Sequence, residues 1–182
     1  MRYNMYNFFK EAKKGFLLGY NAALNGGGCI QIINDMRKHL DIVEINNVPM
    51  YFCKSNYAVA SSNSDIGCLM EIKTKIIGDI ECIFVNDTFD KAPDFVKEFI
   101  LHHELGHFVH GDLHKVPKHN NLKRLLGLEK IIMFEYNADR YAAQVLSPNK
   151  CIDALNWMET NVPGGFVCRR EMKKRIKELQ KM

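Results

Sequence analysis

The chain has 182 residues, 47% of them apolar, a length and composition that suit one compact domain with a real hydrophobic core. Its 25 basic and 21 acidic residues leave a formal net charge of +4, which is too small to indicate nucleic-acid binding by itself. It contains no stretch of about 18 apolar residues, so no membrane-spanning helix is predicted. We therefore expect a single domain over residues 1–182, with neither a membrane nor a nucleic acid as its partner.

The N-terminal part, residues 3–40, is predicted to be helical. An amphipathic helix over residues 3–24 ends at a run of three glycines, and a second helix follows over residues 29–40. Asn21 interrupts the apolar run of the first helix, and no clear small-residue cleavage site follows it, so an export signal is not predicted.

The cysteines are scattered along the chain, and no two have the CxxC spacing of a cysteine zinc site. Scattered cysteines in a domain without an evident disulfide pattern are typical of a reducing compartment. We therefore expect a cytoplasmic protein, with a disulfide framework as the less favoured alternative. The six residues are Cys29, Cys53, Cys68, Cys82, Cys151 and Cys168.

Strands are predicted in the middle of the chain, at residues 57–60, 68–77 and 80–85. Gly78-Asp79 lies between two apolar runs and indicates a hairpin. The pattern is weak over residues 41–55, where only a turn near Asn46-Asn47 is predicted. These features indicate an α+β fold that is mainly helical, with a small antiparallel sheet of about three strands. An edge strand of this sheet could hold an extended peptide by main-chain hydrogen bonds.

A buried helix is predicted after the strands. Pro93 suits a first helical position, Gly111 suits a helix end, and the segment between them is apolar nearly all round. Gly106 lowers helix stability, so we expect it to permit a close backbone approach. The stripe expected to face the interior consists of Val96, Ile100, His103 and His107.

This helix carries the HExxH sequence, His103-Glu104-Leu105-Gly106-His107. The spacing places two imidazoles on one helical face, one turn apart, so that they can bind one zinc ion. Glu104 projects from a neighbouring face and could hold a water instead of binding the metal. Two surface histidines on a helix are the alternative interpretation.

A catalytic zinc ion takes three protein ligands and keeps one position for water. The third ligand is expected on a helix over about residues 128–146, where Glu135 and Asp139 lie on an otherwise aliphatic or small face. Charges on such a face are rarely left unpaired. They could form salt bridges with Arg140 or Lys130. Alternatively, Glu135 binds zinc and Asp139 hydrogen-bonds a histidine ligand.

HELGH followed by E-x-x-x-D resembles the gluzincin-type metallopeptidases. HHELGHFVHGD with FEYNADRYAAQVLSP is similar to the ImmA/IrrE family of small soluble proteases, over about residues 83–148. The resemblance implies a zincin-like domain with the sheet beside the active-site helix. It also implies that His103, His107 and Glu135 bind one zinc ion. Glu104 would be the catalytic base, and Asp139 would be a polar partner of a ligand.

The resemblance further implies a zinc-dependent intracellular endopeptidase that cleaves one specific protein. The expected substrate is a helix-turn-helix transcriptional repressor, often one encoded in a mobile element. The alternative is a non-catalytic module that sequesters a partner protein, as a toxin, inhibitor or anti-repressor. A pure binder would have no need for Glu104, which favours the enzyme.

The remaining segments carry weaker expectations. Residues 112–126 are predicted to be a solvated loop, or else a basic rim that recruits an acidic substrate. A basic helix over residues 167–180 is expected to dock on the core with a solvated basic face, and contact of that face with a partner or a nucleic acid is the alternative. The sequence does not choose the side chain that would stabilise an oxyanion or line the cleft. The candidates are His110, His114, Tyr136 and Tyr141.

Overall fold

Helices and a small sheet make up the computed structural model, which describes residues 27–61, 66–72, 79–115, 121–162 and 166–182. The helix predicted over residues 3–24 lies outside these ranges. In chain order the described elements are α1 (Gly27–His39), β1 (Asp41–Ile45), β2 (Val48–Lys54), α2 (Asn56–Ser61), β3 (Gly67–Ile72), β4 (Ile80–Val85), α3 (Asp87–Lys91), α4 (Asp94–His110), a 3-10 helix (Asp112–His114), α5 (Asn121–Leu146), α6 (Pro148–Asn161) and α7 (Phe166–Leu179). The predicted α+β class, mainly helical, is confirmed.

The sheet has four strands in the order β1-β2-β4-β3, and it is mixed. The β1–β2 and β3–β4 pairs are antiparallel, whereas β2 and β4 are parallel. The prediction of about three strands in an antiparallel sheet was therefore wrong in both number and direction. The β3–β4 pair agrees with the predicted hairpin, although residues 73–78 lie outside the description.

Two local sequences explain the errors. Residues 57–60 were predicted as a strand but lie in α2, because the Ser55 hydroxyl accepts a hydrogen bond from the Ala58 backbone amide and caps the helix. The strands β1 and β2 were missed, although the turn between them was predicted. Asn46 and Asn47 make that turn with φ of 49° and 63°, the left-handed conformation of the tightest hairpins.

Strand β4 is buried on both faces, as expected for a strand in the sheet interior. Cys82 and Phe84 point into one apolar cluster, which the residues of α1 and α2 complete. Ile83 and Val85 point into a second cluster, formed with α4, α6 and α7. The sheet therefore packs against α4 through this second cluster. The cysteines with described side chains, Cys53, Cys68, Cys82 and Cys151, are buried free thiols.

Helix α4 begins and ends close to its predicted limits. Pro93 precedes the first helical residue as the N-cap, and Gly111 ends the helix in the left-handed conformation with φ of 62°. The helix α5 begins at Asn121, so the loop predicted over residues 112–126 was too long. None of the described helices combines the length and apolar content needed to cross a membrane.

Candidate metal centre

Three side chains predicted as metal ligands converge between α4 and α5. The Nε2 atoms of His103 and His107 lie 3.2 Å apart. Oε2 of Glu135 lies 3.3 Å from Nε2 of His103, and Oε1 lies 3.5 Å from Nε2 of His107. His103 is buried, whereas His107 and Glu135 are partly exposed. These residues form a cluster that could hold a metal ion and that solvent can reach.

The helix packing places the ligands. A Cβ atom added to Gly106 would lie only 2.9 Å from Cα of Ala138, so the two helices meet backbone to backbone there. On α4, His103 lies three residues before Gly106 and His107 directly follows it. On α5, Glu135 comes one turn before Asp139, and Ala138 lies between them in the chain. The expected role of Gly106 in a close approach is confirmed.

Two buried carboxylates fix the histidine tautomers. Nδ1 of His103 lies 2.9 Å from Oδ1 of Asp139, and Nδ1 of His107 lies 2.9 Å from Oδ2 of Asp112. An ionised carboxylate only accepts hydrogen bonds, so each Nδ1 must donate. The lone pair of each neutral ring is then on Nε2 and points at the other ligands. Asp139 fills its predicted position, while Asp112 was not predicted to contribute.

Two nitrogen lone pairs and a carboxylate at these distances repel one another unless a cation lies among them. Without metal, that cation is a proton. Burial and the Arg175 guanidinium act to lower the pKa of His103, but hydrogen bonds to Asp139 and Glu135 outweigh them and raise it to about 9. Burial acts to raise the pKa of Glu135, but hydrogen bonds from both histidines hold it well below its usual value.

The spacing also fits a metal ion. Zinc bonds to imidazole nitrogen and carboxylate oxygen are about 2.0–2.2 Å long, so tetrahedral ligand atoms lie about 3.3–3.6 Å apart. The two Nε2 atoms lie 3.2 Å apart, and each oxygen of Glu135 lies 3.3 or 3.5 Å from one of them, which is close to these separations. Calcium and magnesium prefer oxygen ligands, so a site with two imidazoles favours a transition metal.

The salt bridges considered for Glu135 and Asp139 involve a different arginine from the one expected. Nε and Nη2 of Arg175, on α7, lie 2.7 and 2.6 Å from the two oxygens of Asp139. Its Nη1 lies 3.3 Å from Oε2 of Glu135. Arg140 instead lies 3.9 Å from Glu178. The prediction overlooked Arg175 within a run of basic residues, although it lies three residues after Met172 and four before Leu179, both buried.

Glu104 is buried beside the cluster, with 6% of its surface exposed. Among the residues that the structure describes, none forms a hydrogen bond or ion pair with its carboxylate. Its charge nevertheless contributes to the raised pKa values of His107 and Arg175, which places it in the same electrostatic environment. The carboxylate group of Glu104 is therefore available to hold water or a substrate group.

The residues considered for the oxyanion have contacts elsewhere. Nδ1 of His110 lies 2.7 Å from the Gly106 carbonyl, and its ring meets the Tyr141 ring edge-on. The Tyr141 hydroxyl accepts a hydrogen bond from Asn46. His114 is exposed and pairs with Glu81 on β4 at 3.0 Å. Tyr136 is half-buried on α5, and no side-chain contact assigns it a role.

Comparison with known proteins adds no assignment, because no protein-family model, no curated protein and no solved structure matches this chain.

Proposed function

We propose that this chain is a zinc-dependent endopeptidase. One observation carries the proposal: three metal-ligand side chains converge on one centre while Glu104, buried beside them, has no partner among the described residues. Metal binding alone requires only the three ligands. A free carboxylate at the same centre is what a hydrolytic reaction needs as its base.

Zinc is the metal proposed because two imidazoles, one carboxylate and an open position are the ligand set of catalytic zinc sites. Bound zinc supplies Lewis acidity, which lowers the pKa of a water to about 7 and polarises a peptide carbonyl. The Nδ1 hydrogen bonds to Asp139 and Asp112 hold both imidazoles in the tautomer that leaves Nε2 free for a metal.

Glu104 performs the proton transfers in this proposal. Its carboxylate accepts a proton from the attacking water and then delivers that proton to the leaving amine. General acid–base catalysis of this kind typically contributes about 10²–10⁴-fold in rate. The low exposure of Glu104 supports the role, because exclusion of bulk water strengthens its electrostatic interaction with the reacting groups.

The proposed substrate is a helix-turn-helix repressor in the cytoplasm. This part depends on the resemblance of HHELGHFVHGD and FEYNADRYAAQVLSP to the ImmA/IrrE family. The buried free thiols agree with a reducing compartment. Partial exposure of His107 and Glu135 leaves a route by which an extended segment can reach the centre.

The test combines metal analysis with cleavage. We expect one zinc ion per chain, lower zinc content in Glu135→Ala, and chelator-sensitive cutting of the repressor-like protein encoded beside this one. Glu104→Gln should keep zinc and lose cleavage. Glu98→Gln is the matched control, since Glu98 is an exposed residue of the same helix.

Full proteolytic activity in Glu104→Gln would refute the assigned base. Tight binding of the repressor without cutting, by a wild-type protein that holds zinc, would instead support the sequestering module. Unchanged zinc content in Glu135→Ala would remove Glu135 from the ligand set.

A further inference from the structure

Arg175 spans both carboxylates that α5 presents to the cluster. Its Nε and Nη2 groups bind Asp139 in a bidentate pair, which leaves Nη1 as its remaining nitrogen. That nitrogen lies 3.3 Å from Oε2 of Glu135. The Arg175 side chain is only 13% exposed, and the Asp139 side chain only 2%. The guanidinium is therefore held in one orientation, with its free edge at a metal-ligand carboxylate.

Glu135 presents both of its oxygens to the imidazoles, Oε2 to His103 and Oε1 to His107. A carboxylate in this position can bind a metal through one oxygen or chelate it through two. Chelation would add a fifth ligand atom beside the position that a catalytic zinc site keeps for water. A bond through one oxygen keeps the site four-coordinate, so a group that holds back the second oxygen would serve the function proposed above.

We propose that Arg175 is a positioning residue that makes Glu135 bind the metal through Oε1 alone. Its Nη1 group pairs with Oε2 and partly neutralises the negative charge of that oxygen, which then attracts the metal less. This inference rests on the proposed function, since it concerns the same metal site. Lysine could not replace Arg175, because one ammonium cannot bind Asp139 at two points and reach Glu135 with a third nitrogen.

A purely structural role makes a different prediction. If Arg175 only compensates the buried charge of Asp139, a lysine there keeps the charge and leaves metal coordination unchanged. If Arg175 also controls Glu135, the lysine variant allows the second carboxylate oxygen to reach the metal. The two roles therefore differ in the coordination number and not only in stability.

Cobalt(II) reports this number, because four-coordinate cobalt absorbs visible light far more strongly than five- or six-coordinate cobalt. We expect intense visible bands for the cobalt-loaded wild type and a loss of intensity per bound cobalt in Arg175→Lys. Arg170→Lys is the control, the same change at an exposed position of α7, and should keep the wild-type spectrum. Circular dichroism confirms that each variant is folded.

Identical spectra for folded wild type and Arg175→Lys would overturn the inference. If Arg175→Lys does not fold, X-ray absorption of the zinc-loaded wild type decides. Four light-atom neighbours support one-oxygen binding, and five, with two from one carboxylate, refute it. A wild type that binds neither cobalt nor zinc would instead remove the proposed function itself, so the two failures are distinguishable.

Discussion

Replacement of Gly106 by alanine has two opposing effects on stability at the candidate metal site, a gain in helix propensity and a loss in packing. Alanine is favoured over glycine within a helix by about 1 kcal/mol. The new Cβ, however, would lie 2.9 Å from Cα and 3.1 Å from the carbonyl oxygen of Ala138. Both are backbone atoms that cannot rotate away, and overpacking of this kind costs about 1–3 kcal/mol. We expect packing to win and Gly106→Ala to be destabilised by up to about 2 kcal/mol.

The same substitution should weaken metal binding. An ordinary contact begins at 3.4 Å, so α4 and α5 must separate locally by about 0.5 Å to accept the methyl group. Metal–ligand distances tolerate only about 0.2 Å. Because two ligands lie on α4 and Glu135 lies on α5, the separation opens the cluster. We expect zinc affinity to fall by at least about tenfold, the size of effect seen when support of a ligand is lost.

Urea denaturation with and without chelator measures the stability, and competition with a chromogenic chelator measures the zinc affinity. Gly111→Ala is the matched control. A Cβ there meets nothing within 4 Å, although its φ of 62° makes alanine cost about 1–2 kcal/mol. The control should therefore lose stability but keep zinc. A Gly106→Ala protein that is as stable as wild type and binds zinc equally well would refute the argument.

Three further predictions concern the two imidazoles. Asp112→Ala should lower zinc affinity by about 10–100-fold, because it leaves Nδ1 of His107 without its acceptor. Asp112→Asn retains an acceptor oxygen and should therefore lose less affinity. Equal zinc affinities in the wild type and both variants would contradict this. Zinc binding should strengthen as pH rises toward 9, since a pKa of about 9 means that zinc must displace a proton from His103 at neutral pH. The stability of the metal-free protein should change in the opposite direction. The raised pKa stabilises the fold fully below about pH 6.5, and that contribution is lost as pH rises through 9. Zinc titrations from pH 6 to 9 measure the affinity, and thermal melts of the chelator-treated protein over the same range measure the stability. A pH-independent zinc affinity would argue against a protonated His103.

The parts of the site that the sequence predicted are those with a short-range signal. The four-residue spacing of His103 and His107 fixes their common helical face, and Pro93 and Gly111 mark the helix ends. The prediction of Glu135 needed one more step, that charges on an apolar face require a partner. That reasoning identified the two acidic residues that lie against the imidazoles, but not the arginine that pairs with them.

Arg175 could not be predicted in the same way, because it is 72 residues from His103 and reaches it only through the packing of α7. Its local sequence is rich in basic residues that remain on the surface. The prediction missed strands β1 and β2 for a similar reason. Pro49 and the exposed Asp41 and Glu44 weaken the alternation of apolar and polar residues in these strands. In the fold, the pairing of β2 with β4 stabilises a strand that the local sequence indicates only weakly.

The charges of the side chains around the cluster by themselves favour a cation at this site. Glu104, Glu135, Asp139 and Asp112 bring four carboxyl groups into one region, whereas Arg175 is the one buried guanidinium that the described residues place there. Lys115 lies 3.9 Å from Asp112, but it is largely exposed and therefore screened. Burial makes such an excess of negative charge costly unless positive charge balances it. A proton on His103 supplies one unit, and a divalent metal supplies two while it also uses the Nε2 lone pairs that a single proton cannot satisfy. We therefore expect a bound metal to stabilise the arrangement and its removal to lower the melting temperature of the folded protein.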